Sequence, residues 1–272
     1  MKIALIGYGK MGRLLEKRLL ERKHEVIAIV DPFYKGKSDD TPSKAEIYPS
    51  LESSLKGAAG KSLKDADAAI EFTHPDSAPG NLLFLAREKI PAVCGTTGWF
   101  GKLPEISGAV NSNGSSLVWS SNFSLGVNLF YRIAEHAAKL TGQFEEYDVG
   151  GFETHHNKKA DSPSGTAKIL VEKVLAQMPG KKKAVYETLE RPPAADELHY
   201  ASLRVGSVPG THSLIFDSAA DTIEITHTAR SREGFAAGAV LAAEWLTAHP
   251  AGAVKKRTGV FTVDDVLADI LP

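Results

Sequence analysis

The segment from Glu153 to Thr166 reads E-T-H-H-N-K-K-A-D-S-P-S-G-T and gathers the residue types that move protons and hold anions. Histidine is the side chain most easily poised to give or take a proton near neutrality, so His155 and His156 supply acid–base capacity. Lys159 follows at a distance that lets its ammonium neutralise charge developing on a substrate carboxylate or imine. Pro163 and the small polar residues after it make a helix start, and exposed N–H groups at Ser164, Gly165 and Thr166 would attract a carboxylate. The combination suits reduction of a small anion. A metal at the histidine pair is not expected: neighbours on a strand point to opposite faces, and no second ligand pair stands at zinc spacing.

A second group sits at the N-terminus. Gly7-Tyr8-Gly9-Lys10-Met11-Gly12 is a G-x-G-x-x-G between an apolar strand and an amphipathic helix, with Asp31 ending the next strand. The first glycine permits a tight turn, the second lets backbone approach a pyrophosphate, and the third lets helix and strand pack closely. Asp31 is placed to accept from ribose hydroxyls, which favours NAD; Lys35 and Lys37 just downstream keep NADP within reach. Gly95-Thr96-Thr97-Gly98 and Ser120-Ser121-Asn122-Phe123 each follow a strand, where ligands collect in open α/β sheets. Cys94, beside the first of these, reads as a buried structural thiol rather than a nucleophile.

The elements that must carry these groups follow from periodicity. Lys2 to Ile6 and Glu25 to Asp31 are strands around a helix through Met11, Leu14, Leu15 and Leu19, a βαβ unit. Residues 33–66 have weak periodicity and are expected to be a shortened crossover or surface loop. Strands follow at Ala68 to Thr73, Pro91 to Thr96 and Ser116 to Ser120, giving a doubly wound, Rossmann-type parallel sheet of five strands covered on both faces. From Ser124 a long helix is predicted to about Leu140. Strands at Tyr147 to His155, Leu198 to Val205, Thr211 to Asp217 and Thr222 to Thr228 then form a mixed or antiparallel sheet, hence a second, α+β domain. The expected boundaries are 1–122 for dinucleotide binding, 123–240 for substrate binding, catalysis and oligomerisation, and 241–272 packing back on the first domain.

With 272 residues, 43% apolar and 24% charged, and a formal net charge of -1, the chain has ordinary globular composition and no electrostatic footprint for nucleic acid. Its single cysteine forms no internal disulfide, the N-terminal apolar stretch is too short for a signal peptide, and no run approaches the ~20 apolar residues that span a bilayer. A cytoplasmic protein with a small-molecule ligand is expected.

The motifs together resemble the 4-hydroxy-tetrahydrodipicolinate (dihydrodipicolinate) reductase family of the diaminopimelate route to lysine. The resemblance runs through Gly7 to Gly12, Gly95 to Gly98, Asn122-Phe123-Ser124 with Gly126-Val127-Asn128, Glu153 to Ala167, and Thr226-His227 through Arg232, Phe235 and Gly238. It implies His155 as proton donor and acceptor, Lys159 as a second catalytic donor, and His156, Ser164, Gly165 and Thr166 as contacts to a small dicarboxylate. It implies that Gly7 to Gly12, Asp31, Thr73, Gly95 to Thr97, Ser120 to Phe123 and Arg232 hold NAD(P)H, and that the protein is a homotetramer. Asp31-Pro32 stands where some members carry an acidic-arginine pair. Another two-domain Rossmann dehydrogenase of amino acids or semialdehydes would share the glycine motif but has no need of His155-His156 with Lys159; an NAD(H)-binding redox sensor would not need the proton donor.

Overall fold

The computed structural model describes residues 1–248 and 257–271, in two compact units, Met1–Ser124 with Arg232–Pro272 and Leu125–Ser231. In the first unit the chain runs β1 (Lys2–Ile6), α1 (Lys10–Glu21), β2 (Glu25–Val30), β3 (Glu46–Tyr48), α2 (Leu51–Ser54), β4 (Ala68–Glu71), α3 (Ala78–Arg87), β5 (Ala92–Cys94), α4 (Leu103–Asn113) and β6 (Ser116–Trp119). The second unit contains α5 (Leu125–Thr141), β7 (Asp148–His155), α6 (Gly165–Leu175), β8 (Lys183–Val185), β9 (Glu197–Arg204), β10 (Thr211–Asp217) and β11 (Thr222–Thr228). The chain then rejoins the first unit as α7 (Glu233–Thr247), β12 (Gly259–Thr262) and α8 (Val263–Ile270).

Among the described residues the first sheet has seven strands in the order β12-β6-β5-β4-β1-β2-β3, every adjacent pair parallel. Its central strands are apolar at successive positions because both faces are covered. Ile3 and Leu5 face a core built with Leu15, Leu19, Val240 and Leu246 of α1 and α7; Ala4 and Ile6 face the opposite core, with Leu82, Leu85, Ile106 and Val110 of α3 and α4. The doubly wound class is as expected, but the strand count is seven rather than five. Residues 33–66 are not merely a loop: they contain β3, which pairs with β2, and the short α2, whose first turn is capped by Ser50. Strands of three and four residues such as β3 and β12 are too short to display a period. The second unit boundary also falls at Ser231, not 240, because α7 is one continuous helix whose buried face, from Ala236 onward, packs on the first core. Of the 241–272 stretch, residues 249–256 and 272 lie outside the described residues.

The second sheet is mixed, in the order β11-β10-β7-β9-β8, with α5 and α6 on one face over Tyr200, Leu214 and Phe216. β7 is central, antiparallel to β10 and parallel to β9. The register sets His212 opposite Glu153, Glu153 opposite Ser202, and His155 opposite Arg204. Residues opposite one another share a face with their Cβ atoms about 5 Å apart, so these side chains must meet.

Two glycines close the turn between β1 and α1. Gly7 has φ +90°, and a Cβ there would lie 2.3 Å from the Phe72 carbonyl oxygen; a Cβ on Gly12 would lie 2.3 Å from the Gly7 carbonyl oxygen. Helix and strand are thus in backbone contact. Gly12→Ala is expected to lower the unfolding free energy by about 1–3 kcal/mol, since backbone has to shift to admit the methyl group; urea denaturation of the variant measures it, and an unchanged midpoint would contradict this packing.

Candidate active site

Within the first unit a cavity of about 620 Å³ opens at the carboxyl ends of β1, β2 and β4, lined among others by Gly7, Gly9, Asp31, Phe33, Thr73 and Asn81. The N-terminus of α1 meets it at Gly9, which provides no side-chain cap and around which an added Cβ would find open space. First-turn amides of α1 are therefore left for a ligand, with the positive end of the helix dipole behind them. The residues fit a dinucleotide: a glycine loop too tight for side chains, a bare helix start and an acid at the end of β2.

Asp31 is held rigidly. Its Oδ2 accepts from the Tyr8 amide at 2.7 Å and its Oδ1 from the Phe33 and Tyr34 amides at 2.8 and 3.2 Å. The Tyr8 side chain turns away from the cavity into the core, where its hydroxyl donates to buried Glu16, and burial with that partner raises its pKa. Met11 packs against the same core, while Lys10 is exposed. Thr73 is fixed twice: its amide donates to Thr96 Oγ1 at 2.8 Å and its hydroxyl to the buried Glu71. Glu71 also accepts from Asn81 Nδ2 at 3.3 Å and Cys94 Sγ at 3.0 Å. Burial, then Glu71, pushes the Cys94 thiol well up, so it is no nucleophile.

The remaining expected cofactor residues belong to this unit without lining the cavity. Gly95 to Thr97 follow β5 and Ser120 to Phe123 follow β6, and neither segment lines the cavity. Ser120 Oγ donates to the Asn122 carbonyl, Phe123 is buried in the core, and Arg232 stands exposed at the start of α7. Phe33, Glu52 and Asn81, which do line the cavity, went unread because loop and helix residues carry no motif.

The second unit assembles the acid–base groups. β7 ends at His155, which is buried, and on the same face two residues earlier lies Glu153, at 0% exposure. Glu153 Oε1 accepts from the Ser164 amide, Ser202 Oγ and Arg204 Nη2, each at 3.0 Å, and Oε2 accepts from Ser164 Oγ. Burial alone would raise this carboxyl's pKa; the hydrogen bonds from Ser164, Arg204 and Ser202 outweigh it and hold the pKa below the ordinary value. His155 Nδ1 lies 3.4 Å from Glu153 Oε2. Burial lowers the His155 pKa, with Glu153 opposing and Lys159 and Arg204 reinforcing.

Ser164 caps α6, its Oγ accepting from the Ala167 amide at 3.1 Å, while Gly165 is open and the Thr166 carbonyl accepts from Tyr131 at 3.3 Å. Lys159 pairs with Asp161 at 2.7 Å, and that ion pair lowers the Asp161 pKa. His156 is half-buried at the turn after β7. His155, Lys159 and the start of α6 thus belong to one region of one unit.

Sequence reading missed His212, Ser202, Arg204 and Tyr200, which cross-strand register brings to the cluster. His212 packs edge-on to His155, ring centroids 5.2 Å apart, and its Nδ1 is 3.1 Å from the Tyr200 hydroxyl. Glu153, His155 and His212 have ligand atoms within 4.8 Å of one another, a spacing a metal could use. The Glu153 carboxylate is however already shared among Arg204, Ser164 and Ser202, and the guanidinium opposes a second cation.

Burial depresses the His212 pKa from 6.5 to about 4. A neutral buried imidazole contributes stability that is full above pH 6.5 and is lost as pH falls from there toward 4, about 3 kcal/mol at most for a shift of this size. His212→Gln is expected to flatten the decline in unfolding free energy between pH 7 and pH 4.5, read by urea titration at both values. A decline as steep as in the parent protein would exclude His212 as its source.

Comparisons with known proteins cover both units. Residues 1–123 match the family described as dihydrodipicolinate reductase, N-terminus, and residues 126–267 that described as dihydrodipicolinate reductase, C-terminus. The chain is 36% identical over 270 residues to the 4-hydroxy-tetrahydrodipicolinate reductase of Christiangramia forsetii, covering 99% of each chain. It is 33% identical to that of Staphylococcus aureus, covering 98% of this chain and 100% of the relative. Among solved structures, the dipicolinate-bound dihydrodipicolinate reductase of Paenisporosarcina sp. TG-14 superimposes with a TM-score of 0.73 at 21% identity, over 96% of this chain and 97% of that one. The amine dehydrogenase of Mycobacterium smegmatis shares the fold, with a TM-score of 0.63 at 12% identity over 97% of this chain and 95% of its own.

Proposed function

This chain belongs to the dihydrodipicolinate reductase family, and we propose that it reduces 4-hydroxy-tetrahydrodipicolinate to tetrahydrodipicolinate with a pyridine nucleotide, in the diaminopimelate route to lysine. The observation that carries this reading is the buried imidazole of His155 set in one region with the Lys159 ammonium and with the start of α6, where the space beside Gly165 is open. Neither a semialdehyde dehydrogenase nor a redox sensor accounts for that region, and the match over both halves favours neither.

The chain's own residues divide the work. Amides at Gly165 and Thr166, aided by the α6 dipole, bind one substrate carboxylate, with His156 beside them. Lys159 exchanges Asp161 for the anionic substrate and neutralises charge developing at the ring nitrogen. A bound reduced nicotinamide would supply the hydride for C4 of the ring, whose hydroxyl is lost as water together with a proton from the neighbouring carbon. His155 delivers the proton to the neighbouring carbon, so hydride and proton together complete the reduction. The α1 start and glycine loop bind the pyrophosphate, and Asp31 the ribose. The remaining cofactor residues expected from the resemblance, Gly95 to Thr97, Ser120 to Phe123 and Arg232, are proposed on that ground alone.

We propose NADH as the preferred donor, with NADPH accepted: Asp31 and Glu52 both line the nucleotide cavity, and each repels a 2′-phosphate. A cytoplasmic homotetramer is the proposed form, its contacts made through the face of the second sheet opposite α5 and α6, where Leu203 is 55% exposed. Among the described residues no helix is long and apolar enough to cross a membrane.

His155→Gln is expected to lower kcat by about a hundredfold to ten-thousandfold while leaving NADH affinity unchanged; near-parental kcat would remove His155 from the chemistry. Asp31→Ser is expected to raise the NADPH to NADH ratio of kcat/KM by about tenfold, because a fixed negative charge is removed. An unmoved ratio would show that the acid does not select the donor.

A further inference from the structure

β7 presents two ionisable side chains on the face that bears the chemistry, and the reaction as described uses one of them. We propose that Glu153 is the positioning residue for His155: its Oε2 holds the imidazole as the Nδ1–H tautomer and stabilises the imidazolium, leaving Nε2 as the atom that exchanges a proton with substrate. This rests on the reading of His155 as the acid–base group.

The imidazole shows the need. His155 Nδ1 is buried and makes no hydrogen bond among the described residues, and the carboxylate oxygen Glu153 Oε2 lies 3.4 Å from it. Catalytic hydrogen bonds are commonly long before substrate binds and tighten afterwards. Nε2, on the other side of the ring, looks onto Gly210, where an added Cβ would lie 3.0 Å from it. Any side chain at this position would crowd that nitrogen.

The carboxylate is able to do this because it cannot turn. Ser164, Ser202 and Arg204 fix it from α6 and β9 through four hydrogen bonds, three of them on Oε1. The other charged or titratable groups at the cluster do not take its place. Arg204 engages Oε1, and Lys159 is paired with Asp161. His212, from β10, has its Nδ1 3.1 Å from Tyr200 and 3.9 Å from Oε2. The balance is simple: the proton on Nε2 passes to the substrate carbon, the Nδ1 proton stays on the ring throughout, and none is transferred to Glu153. The arrangement is that of a buried acid orienting a histidine in hydrolytic triads, turned to carbon protonation.

The deciding measurement is ¹⁵N NMR of the full-length, histidine-labelled protein, with His155 assigned by the resonances lost in His155→Gln. The neutral Nδ1–H tautomer is expected; an Nε2–H tautomer would overturn the proposal and needs no variant of Glu153 to do so. In Glu153→Gln the His155 titration should move down by about one pH unit, because an influence that raises it is gone. kcat should fall by about a hundredfold in the parent background and not at all further in His155→Gln. An unmoved titration, or losses that multiply in the double variant, would reduce Glu153 to a structural role. If His155→Gln kept its activity while the tautomer came out as Nδ1–H, the reading of the chemistry would fail and the assignment of the pair would stand.

Discussion

A carboxylate at the centre of a β-sheet is the constraint on which the second unit is organised. An ionised acid taken out of water costs several kcal/mol unless donors replace its hydration. Glu153 meets that requirement with one guanidinium, two hydroxyls and one amide, drawn from β9 and the cap of α6. The solution has geometric consequences. Moving the start of α6, or slipping β9 by one residue, would strand the charge, so helix start, central strand and imidazole hold one arrangement. Arg204 serves twice here, since its Nη2 also donates to the Asp161 carbonyl at 2.6 Å and so fixes the loop that carries Lys159.

The first unit uses the same device at its own loops. Buried Glu16 accepts from the Tyr8 hydroxyl and from the Ser43 amide and hydroxyl at 3.0 and 2.5 Å, tying the glycine loop to the crossover after β2. The Arg13 guanidinium, 4.9 and 5.5 Å from the Tyr8 and Tyr34 ring centres, lies over both rings of that corner. Buried Glu71 fixes Thr73 and Asn81 at the cavity rim. Loops are the mobile part of most α/β sheets. In this protein interior acids pin them, and the price is a set of charged groups that tolerate little change around them.

What could be read from sequence follows the range of each signal. The βαβ unit, the glycine loop and the helix start after Pro163 are local, spelled by residues a few positions apart, and the structure has them at those places. β3 and β12 are too short to show a period and owe their existence to pairing with β2 and β6. The cluster around His155 was half legible. Alternation along β7 sets Glu153 and His155 on one face, whereas Ser202, Arg204 and His212 arrive by register with strands some 50 residues away in sequence. Tyr8 shows the opposite failure: it lies inside a binding motif, but its side chain belongs to the core and only its backbone serves the loop.

The placement of Cys94 has a practical corollary. It is the chain's one cysteine, it is fully buried, and its thiol is held protonated by burial and by Glu71. Maleimides and other thiol-directed reagents therefore find the native surface silent. A cysteine introduced on either unit would be the single labelling position, so a fluorophore or spin label can be placed at a chosen site without first stripping the protein of its own thiol.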